Sequence, residues 1–167
     1  MFKINDYVMY GSTGVCKIAD IRKETHVNIN SEETDYYILL PVYNDNIVIK
    51  IQVNNPNTSM RPILTKDEVL SLIKTMPETE TVWIDDNRER SEYFKSILKS
   101  KESEGWAKLI KTLFLEKEAR SLVGKSLTKT DEGIMNTAEK LLYEEFAVAL
   151  DITPDEVLPF IQEYITK

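Results

Sequence analysis

The chain has 167 residues, a formal net charge of −7, and 42% hydrophobic and 29% charged residues. Those fractions exclude a disordered or fibrous protein, and the length allows one ordinary domain or two small ones. No run of eighteen apolar residues occurs and the start lacks a basic-then-apolar leader, which predicts a cytoplasmic protein with no membrane contact.

Chemistry-bearing residues are scarce. A structural zinc site wants four Cys/His ligands and a thiol catalyst wants a histidine in reach, but the chain holds only Cys16 and His26. No glycine-rich phosphate loop is present. The adjacent acids Asp85-Asp86 and Glu144-Glu145 read as solvated faces. The expectation is a non-enzyme with no metal, cofactor or small-molecule substrate. Cys16 reads as a small buried hydrophobe, and His26 as an exposed side chain in a polar loop.

In chain order, two alternating runs, one through Tyr7 and Met9 and one through Cys16 and Ile18, flank the turn Gly11-Ser12-Thr13-Gly14. Period-two patterning about a glycine-bounded turn predicts a small twisted sheet or barrel. The piece from Lys23 to Glu33 is polar and predicts a loop. Asp35–Val42 and Ile47–Val53 predict a second hairpin about Asn44-Asp45-Asn46, ended by Asn54-Asn55-Pro56-Asn57.

The character changes at Thr65. Thr65-Lys66-Asp67-Glu68 has the pattern of a capping box, followed by Val69, Leu70, Leu72 and Ile73 at helical spacing until Pro77. Helical spacing returns around Phe94, Ile97 and Leu98, and again from Trp106 to Phe114, where Trp106 reads as core. A longer helix carries Ile134, Ala138, Leu141, Leu142, Phe146 and Leu150. The last helix opens at a second capping pattern, Thr153-Pro154-Asp155-Glu156, and would bury Val157, Phe160, Ile161 and Tyr164. The pattern therefore predicts an α+β chain, with a small β domain over 1–62 and a compact all-α domain over 65–167.

Net acidity argues against nucleic acid as a partner, but the charge is unevenly spread. Arg88 to Lys129 holds eleven cations and six anions, an excess of five inside an acidic protein. Mixed helical charge of this kind also serves as plain solvated surface.

Phe2-Lys3-Ile4-Asn5-Asp6-Tyr7-Val8-Met9-Tyr10 with Gly14-Val15 resembles the start of the CarD/CdnL family of bacterial transcription regulators. It also resembles the polymerase-interaction domain of the transcription-repair coupling factor. The resemblance continues through Tyr37-Ile38-Leu39, Ile49-Lys50-Ile51, Met60-Arg61-Pro62, the capped helix at Thr65, Leu98-Lys99-Ser100-Lys101-Glu102, and Leu127 through Leu150. It implies a Tudor-like β-barrel that docks on the RNA polymerase β subunit, and a helical domain that touches promoter DNA without strong sequence preference. On that resemblance Lys50 stands where a basic residue contributes to the dock, with Ile49 and Ile51 beside it in the expected docking set; Lys23 is a weaker candidate. Gln52 stands where relatives often have proline.

On the DNA side, relatives carry a Trp followed by Arg residues at a helix start. The resemblance puts Arg88 and Arg90 at the Arg places but Asn87 at the Trp place, with Trp83 four residues earlier. Trp83 either wedges DNA from a longer lead-in or packs under the loop. Lys95, Lys125 and Lys129 complete the implied DNA-binding set. Glu89 and Glu92 stand where relatives tend to be basic. The resemblance thus implies a regulator of promoter opening; the alternative is an adaptor whose helical domain binds another protein.

Overall fold

The computed structural model describes residues 1–25, 33–55 and 59–166. His26, Pro56 and Asn57 lie outside the described residues. The chain divides into two compact units, Met1–Ile63 and Leu64–Lys167.

In the first unit, β1 (Tyr7–Tyr10), β2 (Gly14–Thr25), β3 (Glu33–Pro41), β4 (Ile49–Gln52) and β5 (Met60–Pro62) form one antiparallel sheet. The order β4-β3-β2-β1-β5 leaves β4 and β5 at its edges. The sheet is open where the resemblance implies a closed barrel. The turn between β1 and β2 is the expected one: Tyr10 pairs with Gly14, and Gly11 and Gly14 have φ of +50° and +100°. A Cβ disfavours both conformations.

One face of the sheet carries the core: Val8, Cys16, Ile18, Tyr37, Leu39 and Ile51, with Phe2 and Ile49 packed against it. Cys16 is fully buried, as its alternation with Ile18 predicts. Ile18 and Ile21 are three apart, yet both meet this core. The pairing with β3 shifts register between Ile18 and Asp20, and the extra residue in that bulge turns Ile21 inward.

β2 and β3 also run further than their apolar pattern. Lys23, Glu24 and Thr25 pair with Asp35, Thr34 and Glu33, within the stretch expected to be loop. Backbone pairing continues there without apolar residues, and Lys23 opposite Asp35 adds a favourable cross-strand pair of opposite charge.

The second unit consists of α1 (Lys66–Thr75), a 3₁₀ turn at Met76–Glu78, α2 (Asn87–Ser100), α3 (Ser103–Ser121), α4 (Lys129–Leu150) and α5 (Pro154–Thr166). The predicted capping box starts α1. Thr65 Oγ1 accepts from the Glu68 N–H, and the Glu68 carboxylate accepts from the Thr65 N–H. The Thr65 N–H first, and the Thr65 hydroxyl second, hold the Glu68 carboxyl below its ordinary range. At α5 the pattern resolves differently, with the Thr153 hydroxyl donating to the Glu156 carboxylate.

α4 is the central helix and packs against α1, α2, α3 and α5. Ile134, Ala138, Leu141, Leu142 and Phe146 are buried on it, and Trp106 of α3 is 0% exposed. Burying each large side chain contributes roughly 1.5–3 kcal/mol. Because α4 has neighbours on several sides, Glu144-Glu145 is not the solvated face expected: both are buried. The Glu145 carboxylate accepts from the Leu64 N–H at 3.0 Å and from the Ser103 hydroxyl. Among the described residues no helix is long and apolar enough to cross a membrane.

Candidate functional site

Side chains alternate across a strand, and directly paired residues share a face. The register therefore puts Lys50 of β4 with Ile38 and Asp20, on the face away from the core. Arg22, Tyr36, Glu24 and Gln52 share that outer face. Lys50 Nζ is ion-paired with the Glu24 carboxylate and lies 4.5 Å from the centroid of the Tyr36 ring. Its side chain is still 42% exposed, so the ammonium is held in place yet open to a partner.

Beside it, Arg22 Nε donates to Asp20 Oδ2 at 2.9 Å. That bond first, and the Ile21 N–H second, hold the Asp20 carboxyl below its ordinary range. The outer face is thus a fixed pattern of alternating charge.

The other expected docking residues are placed differently. Ile51 belongs to the core and Ile49 packs against it, so both support β4 from the inner side. Lys23 is exposed, but it sits inside β2 opposite Asp35, not at the head of a loop. Its pairing puts it on the side of Ile21 and Tyr37, opposite Lys50. β4 pairs only with β3, so its outer edge carries no strand among the described residues. Next to that edge, Tyr43, Ile47 and Val48 are exposed, Val48 at 67%. Sequence patterning reads Ile47 and Val48 as strand, which hides this apolar hairpin tip.

Residues 2–64 match the family model of the CarD-like/TRCF RID domain. They are a CarD-like RNA-polymerase-interacting domain. The RID domain is a protein-interaction domain, not a catalytic one, and its match ends within one residue of the first unit's boundary. No curated protein matches the chain.

Outside the RID domain, the start of α2, the end of α3 and the start of α4 gather at one end of the helical unit. Arg90, expected beside Arg88 as a phosphate-gripping cation, is instead 1% exposed. Nε and Nη2 donate to the Asp131 carboxylate at 3.2 and 2.9 Å. Nη1 donates to the carbonyls of Ile84 and Asp85, and Nη2 also donates to Asn87 Oδ1 at 2.7 Å. All five guanidinium protons are used, which is what lets a charge stay inside.

Trp83 packs over this hub. The Arg90 guanidinium lies 4.3 Å from its ring centroid, that of Arg120 5.5 Å, and the Phe94 ring 6.1 Å. The Trp83 ring is half-buried and held between these neighbours of its own unit. Arg88 is 89% exposed and paired with Glu92 at 3.4 Å. Lys95, Lys125 and Lys129 are exposed. Sequence reasoning missed Asp131, whose acidity gives no sign of its partner 41 residues away.

Proposed function

We propose that this chain is a transcription regulator that docks on the β subunit of RNA polymerase and modulates promoter opening through weak DNA contacts of its helical unit. The observation that carries the reading is the RID domain with β4 at an open sheet edge and Lys50 held outward beside it. An exposed edge gives main-chain pairing to a partner, and a fixed cation gives it register. Once docked, the helical unit acts at high effective concentration, so weak DNA affinity suffices. It shifts promoter opening only by its differential affinity for the open over the closed complex.

A second reading, a protein adaptor, draws support from the acids Asp85, Asp86, Glu89 and Glu92 about α2 and from the net charge of −7. Open-complex formation by polymerase, measured with and without the full chain, separates the two. The regulator reading expects a changed opening rate or open-complex lifetime, with the change lost in Lys50→Glu. Unchanged opening kinetics alongside intact polymerase binding would favour the adaptor.

A further inference from the structure

The α2 side of the helical unit is poorly suited to a polyanion. Its Trp83 and Arg90 are engaged in packing, its exposed Arg88 is paired, and four acids surround it. The α3–α4 connection at the same end has the opposite character. From Lys117 to Lys129 the chain holds four cations, Lys117, Arg120, Lys125 and Lys129, and one acid, Glu118. Lys117 is offset by Glu139 of α4 and Arg120 by Glu116, which leaves Lys125 and Lys129 facing solvent.

Between Arg120 and Lys125, Leu122 is 89% and Val123 69% exposed. Turns favour Gly, Asn, Asp, Ser and Pro, so two bare aliphatic side chains at a turn serve neither core nor turn. The turn is also held rigidly. Arg120 Nη1 donates to the Ser126 carbonyl at 3.1 Å, and the Lys125 N–H reaches the Arg120 carbonyl at 2.8 Å. Gly124 takes φ +70°, Leu127 is buried, and Thr128 caps α4 through the Asp131 N–H. Lys129 occupies the first position of α4, where the helix dipole disfavours a cation, so it is not there to stabilise the helix.

We propose that Leu122–Lys129, rather than the Trp83–Arg90 region, is the DNA-contacting surface of the helical unit. Leu122 and Val123 wedge against a distorted or unstacked base step, and Lys125 and Lys129 take the flanking phosphates. A projecting aliphatic tip between cations matches the chemistry of wedge insertion with phosphate anchoring. The proposal rests on the DNA reading above and names the element that carries it.

The test is fluorescence anisotropy of the full chain with a forked duplex and an uninterrupted duplex, over a salt series. Leu122→Ser with Val123→Ser is expected to weaken fork binding about tenfold, the effect of losing one buried aliphatic contact, and to spare duplex binding. Lys125→Ala with Lys129→Ala is expected to weaken both and to lower the salt slope by about 2. Arg88→Ala is expected to change binding less than about twofold. All of these positions are exposed, so the fold is retained.

Fork binding that survives both double variants but falls with Arg88→Ala would overturn the assignment in favour of α2. No fork binding by the wild-type chain would instead remove the DNA reading itself. Tip-dependent binding to phosphatidylglycerol vesicles, with fork binding untouched, would overturn DNA as the partner.

Discussion

Asp131→Ala is expected to lower the stability of the helical unit by about 3–5 kcal/mol, because it strands the Arg90 guanidinium in the interior. That is a large share of the roughly 5–15 kcal/mol that holds a domain together. Denaturant unfolding followed by circular dichroism measures it. Trp83 should report the same event: its ring lies against Arg90, so its fluorescence should move toward that of an exposed indole.

Replacing both partners with apolar residues, Arg90→Met with Asp131→Leu, removes the buried charge and should recover most of the loss. A loss below about 1 kcal/mol on Asp131→Ala would show that Arg90 reaches solvent, and would return it to the list of DNA-facing cations.

Lys50→Glu is expected to weaken polymerase binding by roughly thirtyfold or more, about 2 kcal/mol, without unfolding the chain. The side chain is partly exposed on the outer face, and reversal also sets two carboxylates together at Glu24. Lys23→Glu serves as the comparison. It sits on the opposite face of the sheet and should leave binding within about twofold. Pull-down or surface-immobilised polymerase gives the readout. Equal losses from both lysines would point to general electrostatic attraction rather than a dock on the Lys50 face.

Local signals in the chain were reliable where a residue's neighbours in sequence decide its conformation. The Gly11–Gly14 turn, the reciprocal cap at Thr65 and the helical periodicity around Trp106 all depend on residues within a few positions. Features decided by distant partners were hidden. Arg90 looks like any surface arginine until Asp131, 41 residues on, meets it inside the unit. Glu145 looks solvated until α4 is enclosed and Leu64 and Ser103 supply its donors. The extension of β2 to Thr25 and β3 back to Glu33 is invisible to an apolar pattern, because backbone pairing sustains it. The bulge near Ala19 likewise reverses the inward parity of β2 without any glycine to mark it.

The candidate docking residue Lys50 was legible by resemblance, but its setting was not. Glu24 and Tyr36, which hold its ammonium, come from two other strands and are aligned only by the sheet register. The α3–α4 tip was legible only in part. Lys125 and Lys129 stand out by charge, whereas nothing in the local pattern marks Leu122 and Val123, whose exposure only the fold reveals.

Site-specific photo-crosslinking from position 52 of the full chain tests the central claim most directly. Gln52 is exposed on β4, beside the open edge. With RNA polymerase present, the expected result is a crosslink to the β subunit that disappears in Lys50→Glu. No crosslink to polymerase from position 52, or a β-subunit crosslink that Lys50→Glu leaves intact, would contradict docking through this edge.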